Sequence, residues 1–159
     1  MSGVTVQYKV VLPNGYDSTK AYPGIIALGG GPQTMNTVDG VLNRNFRAEA
    51  EKRGYIVVAP AAPNGQLFFE SGARIFPEFL KMILADYKIQ DGKFHIAGPS
   101  NGGIAAFHVA AANPALLPVG DGLSGIHVGT ESPPSCKRFR RCACSCTSAK
   151  PTSTCGTAR

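Results

Sequence analysis

The chain has 159 residues, a length typical of one domain, and 43% of them are hydrophobic, which is enough for a globular core. Its formal net charge is +6. No stretch of about eighteen consecutive apolar residues occurs, so we exclude a membrane span. The first residues lack a charged leader followed by an apolar run, so we expect no signal peptide and a cytoplasmic protein.

The first half of the chain predicts three strands. Residues 4–12 alternate in polarity and are β-branched, which indicates a strand. The apolar runs 22–28 and 55–60 are typical of central strands covered on both faces. The first of these runs ends in the glycines 29–31, and the second leads into a loop at 61–69.

Helices are predicted between these strands and after them. One is expected from a cap at Thr37 or Asp39 to about Arg53, with Gly54 as its C-terminal stop. Apolar residues at helical spacing predict another over 73–87. Pro77 fits only in the first turn of the helix predicted over 73–87.

The sequence then predicts a turn, a strand and a last helix. Asp91 and Gly92 are expected to turn the chain into a strand at 94–97, and an alanine-rich helix is expected over 104–112.

The turn between this strand and this helix carries the pattern G-x-S-x-G at Gly98, Ser100 and Gly102. In a nucleophile elbow the serine lies on a strained strand-to-helix turn, and glycines are needed where side chains would collide. The alternative is an ordinary glycine turn with an exposed serine. The strand before the pattern and the helix after it favour the elbow.

Strands alternating with helices predict an α/β fold with a mostly parallel sheet and helices on both faces. We expect residues 1–117 to form this core and residues 118–159 to form an irregular tail. The glycine-rich turns 29–31 and 98–103 both follow strand ends, so they should lie at the same edge of the sheet.

Residues 6–114 resemble the α/β-hydrolase superfamily. The turn 100–103 is similar to the serine turn of polyhydroxybutyrate-depolymerase-like, feruloyl-esterase-like and carboxylesterase-like proteins. Residues 28–32 resemble the oxyanion loop of these esterases, with Gly29 where histidine is usual. Residues 55–64 resemble the G-Y-x-V-x-x-P-x-x-P stretch of the same esterases.

The resemblance implies a partial α/β-hydrolase fold and a serine hydrolase that acts on carboxylic esters. Ser100 would be the nucleophile, and the N–H groups of Asn101 and of Gly31 or Gly30 would form the oxyanion hole. It implies no cofactor and no metal. The expected partner is a small-molecule ester rather than nucleic acid.

The rest of a catalytic triad is missing from its usual places. Only Asp121 and Glu131 are acids after the serine, and only His108 and His127 are histidines after it, although both partners should follow in the order acid, then histidine. His95 precedes the serine and is expected to pack in the strand. The base and the acid stay unassigned, and we expect little or no activity from the chain as written.

The last residues differ in composition from the rest. Lys/Arg and Asp/Glu balance through Ser132, and every later charge is basic. All five cysteines also follow Ser132: Cys136, Cys142, Cys144, Cys146 and Cys155. They would suit zinc, and the basic residues would suit nucleic acid, but no histidine and no C-x-x-C pair accompany them.

A frame change explains this tail better. Its Arg, Cys, Ser, Thr, Pro and Ala content is typical of a G+C-rich gene read out of frame. Codons permitted for 118–132, read one base later, allow a hydrolase-like strand. Codons permitted for 133–157, read one base earlier, allow a helix, a strand and an acid-bearing loop. We therefore interpret the chain as truncated or frame-disrupted after about Leu117.

Two other functions stay open. One is a non-catalytic binding or interaction protein with a hydrolase-like core. The other is a serine peptidase of the prolyl-oligopeptidase type, which peptide rather than ester substrates would reveal. The acyl group, the alcohol and the oligomeric state are not predicted by the sequence.

Overall fold

The computed structural model describes residues 4–117, which form one sheet with helices on both faces. The strands are β1 Tyr8–Val11, β2 Tyr22–Ala27, β3 Ile56–Pro60 and β4 Ile89–Ala97. Their order in the sheet is β1-β3-β2-β4, with β1 antiparallel to β3 and the other neighbours parallel. The predicted α/β architecture with a mostly parallel sheet is therefore confirmed.

Four α-helices surround the sheet in the described part of the chain. They are α1 Met35–Val41, α2 Arg47–Arg53, α3 Phe76–Asp86 and α4 Asn101–Ala112. A π-helical segment, Leu42–Phe46, joins α1 to α2, and two 3₁₀ turns, Pro63–Gly65 and Ser71–Ile75, follow β3. None of these helices combines the length and the apolar character that a membrane crossing requires.

Apolar side chains fill both sides of the sheet. On one face α3 and α4 pack against the strands, and on the other face the helix that spans α1 and α2 does so. Every residue of β3 is buried, as a central strand covered on both faces requires. Gly24 in β2 leaves room for an aromatic ring, because a Cβ there would lie 2.7 Å from Cδ1 of Phe94.

The boundaries of the first elements differ from those predicted. The strand expected over 4–12 is confined to Tyr8–Val11, the part that pairs with β3. The helix expected from Thr37 or Asp39 begins at Met35, because Thr34 has the extended backbone of an N-cap. Its end is as predicted, since Gly54 is left-handed at φ +81°.

The helix predicted over 73–87 is divided in two. Residues Ser71–Ile75 form a 3₁₀ turn, and the α-helix begins only at Phe76. Pro77 lies in the first turn of the α-helix, where its missing N–H has no helical partner to lose.

The predicted turn at Asp91 and Gly92 is wrong, because both residues lie inside β4. Tyr22 pairs with Ile89 and Gly24 pairs with Phe94, so two residues of advance along β2 match five along β4. The extra residues form a bulge, and Asp91 and Gly92 take the left-handed backbone at φ +57° and +62°.

The expectation that His95 packs in the strand is also wrong. His95 is exposed, whereas its neighbours Phe94 and Ile96 are buried. Strand alternation directs His95 to the opposite face of β4, where it lies in register with the half-buried Ile25.

Candidate active site

Ser100 lies at the junction between β4 and α4. It is exposed, and it is the N-cap of α4 with φ +50° and ψ −120°. This conformation is sparsely populated for a residue with a Cβ and costs on the order of 1–3 kcal/mol. The structure thus has a strained backbone at the serine, at the strand–helix junction where the sequence places it.

The two glycines that flank Ser100 are required by their surroundings. A Cβ on Gly98 would lie 2.5 Å from the carbonyl oxygen of Leu28 and 2.8 Å from the carbonyl carbon of Gly102. A Cβ on Gly102 would lie 2.4 Å from the same Leu28 oxygen. Backbone cannot move aside as a flexible side chain can, so any larger residue at either position distorts the turn.

Among the described residues, the first turn of α4 has one free backbone N–H group beside Ser100, that of Asn101. The carbonyl of Ser100 accepts the N–H groups of Gly103 and Ile104, at 2.8 and 3.1 Å. Within residues 4–117, the N–H of Asn101 donates to no carbonyl or side chain. Together with the positive end of the helix dipole, this N–H favours negative charge near Ser100.

The glycines 29–31, here called the glycine loop, lie against the turn that carries Ser100. They follow β2, which is the neighbour of β4, and the N–H of Leu28 donates to the carbonyl of Ala97 at 2.8 Å. A Cβ on Gly30 would lie 3.1 Å from the carbonyl oxygen of Pro99. The two glycine-rich turns therefore share one edge of the sheet, as expected.

Two further observations concern the glycine loop. The side-chain Nδ2 of Asn101 donates to the carbonyl of Gly31 at 3.0 Å. Among the residues that the structure describes, the N–H groups of Gly30 and Gly31 have no acceptor. Three unpaired backbone donors thus lie on the two turns that meet beside Ser100.

Gln33 is a residue of this region that the sequence did not reveal. It is the one polar side chain buried within residues 4–117, with no exposed surface, and its φ is +53°. Its Nε2 donates to the carbonyl of Gly29 at 3.1 Å, and its Oε1 accepts the N–H of Phe68 at 2.9 Å. No sequence pattern identifies such a residue, because its partners are separated from each other in the chain.

The histidines of the described residues are distant from the serine. His95 lies within β4 on its exposed face, and His108 is exposed eight residues along α4 from Ser100, a rise of about 12 Å. Neither forms a hydrogen bond with Ser100. His127, the acids Asp121 and Glu131, and the cysteines of the tail lie outside the described residues.

Several solved structures share this fold. A thermostable esterase matches with a TM-score of 0.61 and 22% identity, over 73% of this chain and 36% of its own. An acetyl xylan esterase from Aspergillus awamori matches with a TM-score of 0.59 and 18% identity, over 77% of this chain and 48% of its own. An S-formylglutathione hydrolase from Agrobacterium tumefaciens matches with a TM-score of 0.60 and 19% identity, over 76% of this chain and 51% of its own.

These structures define the class of the fold. The chain has the α/β-hydrolase fold, and its resemblance to serine esterases is confirmed at the level of the fold. It spans between about a third and a half of the length of the esterases it matches. No protein-family model matches the sequence, and no curated protein matches it.

Proposed function

We propose that this protein is a serine hydrolase that acts on carboxylic esters, with Ser100 as its nucleophile in a nucleophile elbow. The observation that carries the proposal is the backbone of Ser100, held at φ +50° and ψ −120° between two glycines that have no space for a Cβ. This strained turn exposes the hydroxyl above the end of the sheet, where ligands of α/β folds bind.

The proposed reaction begins with attack of Ser100 Oγ on the ester carbonyl carbon. A C–O bond forms, the carbonyl π electrons move to oxygen, and a base takes the hydroxyl proton. The resulting oxyanion would accept the N–H of Asn101 and that of Gly31 or Gly30, a donor of this kind contributing about 3 kcal/mol in related sites. Collapse of the tetrahedral intermediate releases the alcohol, and water then hydrolyses the acyl-enzyme.

The base is the part of this reaction that residues 4–117 do not supply. Neither His95 nor His108 contacts the serine hydroxyl, and a neutral hydroxyl is a weak nucleophile without a base. We therefore expect slow ester turnover unless a base is added, and imidazole in the buffer is small enough to reach the exposed Ser100.

The test is phosphonylation by a fluorophosphonate, followed by peptide mapping in a mass spectrometer, with and without imidazole. We expect one adduct at Ser100, faster with imidazole, and its loss in Ser100→Ala. Ser18 is also exposed and serves as an internal control, because it has no strained turn and no oxyanion donors. Absence of an adduct at Ser100 in the folded protein, or equal modification of Ser18, would overturn the proposal.

A non-catalytic binding protein is the second candidate, and the missing base in the described residues favours it. Such a protein would bind a carboxylic ester at the same sheet edge without reacting, so Ser100 would resist the fluorophosphonate at every imidazole concentration. If Ser100 is labelled, matched p-nitrophenyl esters and p-nitroanilides then separate an esterase from a peptidase, with unlabelled protein as the enzyme and labelled protein as the blank.

A further inference from the structure

The glycine loop is held at two of its carbonyl groups by side-chain amides. Gln33 donates to the carbonyl of Gly29, and Asn101 donates to the carbonyl of Gly31, at 3.1 and 3.0 Å. Both bonds come from residues that flank the proposed oxyanion hole, one within the loop's own chain segment and one from α4. The loop is therefore fixed from both of its ends.

The bond from Asn101 matters because packing does not hold Gly31. Gly31 is exposed, its φ is +60°, and a Cβ built on it would have no atom within 4 Å. A glycine with so few neighbours can rotate its peptide groups freely. The hydrogen bond from Asn101 Nδ2 limits this rotation on one side of Gly31, because it fixes the Gly31 carbonyl and with it the peptide group that follows Gly31.

Asn101 thereby joins the two proposed donors to each other. Its backbone N–H is one donor, and its side chain holds Gly31, in the loop whose Gly31 or Gly30 N–H is the other. The separation of the two backbones at Asn101 and Gly31 then depends on one short side chain, so the donors that they carry need less reorganisation when an oxyanion forms.

Gln33 holds the opposite end of the loop and links it to the segment after β3. Its side-chain Nε2 donates to the carbonyl of Gly29, and its side-chain Oε1 accepts the N–H of Phe68. Its backbone carbonyl accepts the N–H of Ala62 at 2.8 Å. A buried amide with a left-handed backbone is unfavourable in itself, and it persists only where the surrounding structure fixes it. A leucine of similar size would fill the space without positioning any carbonyl.

We propose that Asn101 and Gln33 are positioning residues, whose side-chain amides set the orientation of the glycine loop so that its N–H groups can bind an oxyanion. This inference rests on the proposed function. Neither amide touches the reacting atoms, so both act through the backbone of Gly29 and Gly31. Loss of either amide should slow the chemical step and leave binding of the ester nearly unchanged.

The experiment measures the rate of Ser100 phosphonylation in imidazole for a P=O reagent and for its P=S analogue. Backbone N–H donors bind oxygen better than sulfur, so a well-placed oxyanion hole favours the P=O reagent. We expect Asn101→Ala to lower the P=O rate about 10- to 100-fold and to reduce the ratio of the two rates. The backbone N–H of residue 101 remains in this variant, so only the side-chain contact is tested.

Asn113→Ala is the matched control. Asn113 is on the same helix and donates its Nδ2 to the carbonyl of Val109 at 2.8 Å, at the far end from Ser100. Its removal should leave both rates and their ratio unchanged. A side-chain amide with a merely structural role would affect the unfolding temperature but would not change the preference for P=O over P=S.

Gln33→Met tests the second amide at nearly constant volume, with the unfolding temperature measured alongside. We expect the same fall in the rate ratio. Where this variant does not fold, Asn101→Ala decides, since Asn101 lies at the surface end of α4. An unchanged ratio in Asn101→Ala, with the wild-type protein labelled at Ser100, overturns this inference alone. Absence of labelling in the wild-type protein overturns the proposed function and this inference together.

Discussion

Gly98 and Gly102 show how single residues determine whether the turn around Ser100 can form. A Cβ at either position would lie 2.4 to 2.5 Å from the carbonyl oxygen of Leu28. We therefore expect Gly98→Ala and Gly102→Ala to lower the free energy of unfolding by about 3 kcal/mol or more, because backbone atoms must shift to relieve the clash. Urea unfolding followed by circular dichroism measures the change.

Gly40 provides the opposite case within the same chain. It lies inside α1, and a Cβ there would meet only the terminal nitrogen of Arg44, at 3.3 Å. Alanine is the better helix former, so Gly40→Ala should raise the free energy of unfolding by about 0.5–1 kcal/mol. A comparable loss in Gly40→Ala and Gly98→Ala would contradict the steric explanation.

The bulge in β4 depends on two residues with left-handed backbones. Asp91 and Gly92 both have left-handed backbones, and a Cβ on Gly92 would touch nothing within 4 Å. The effect of substitution is therefore conformational rather than steric. We expect Gly92→Ala to destabilise the protein by about 1–2 kcal/mol and Asp91→Gly to cost little or to stabilise it. Equal losses in both variants would mean that the bulge is not held at these angles.

The ion pair between Lys9 and Asp39 joins β1 to α1, and its side chains are 43% and 45% exposed. Exposed pairs contribute about 0–1 kcal/mol, so Lys9→Met should change the free energy of unfolding by less than about 1 kcal/mol. Leu42→Ala, in the fully buried core on the same face of the sheet, should cost about 2–5 kcal/mol. A larger effect of Lys9→Met in thermal unfolding would show that electrostatics, rather than burial, joins this helix to the sheet.

The central elements could be predicted from the sequence because their signals are local. The sequence indicates the apolar strand β3 and the turn at G-x-S-x-G, since buried strands and tight turns restrict residue types at short range. It does not indicate the bulge at Asp91, because the register of β4 depends on its neighbour β2. It does not indicate the role of Gln33 either, because the contact of Gln33 with Phe68 joins residues 35 positions apart.

The packed core of the described residues extends to the last of them, Leu117. Leu117 is 1% exposed and belongs to the core on the α3 and α4 face. The carbonyl of Leu116 accepts the N–H of Phe94 at 2.8 Å, so this segment also provides the hydrogen-bond partner of a buried residue in β4.

Two shortened chains follow from this packing as a final test. A chain that ends at Ser132 lacks only the basic, cysteine-containing segment 133–159, which has one phenylalanine and no Ile, Leu, Val or Met. Ordering the backbone costs about 1–2 kcal/mol of conformational entropy for each residue. So few apolar residues cannot offset this cost over the 27 residues of the segment. We therefore expect its unfolding temperature to equal that of the full chain.

A chain that ends at Pro114 should behave differently, because it loses Leu117 from the core and leaves the N–H of Phe94 without its partner. Removing one large buried side chain and one buried hydrogen bond costs about 3–6 kcal/mol in total. From the entropy of unfolding of a domain of this size, that loss lowers the unfolding temperature by about 10 °C or more.

Calorimetry of the three chains, with zinc added and omitted, measures the unfolding temperature of each chain. A clear fall in the unfolding temperature of the chain ending at Ser132, or stoichiometric zinc binding by the full chain alone, would contradict the frame interpretation, because an out-of-frame segment has no reason to stabilise the core or to hold a metal.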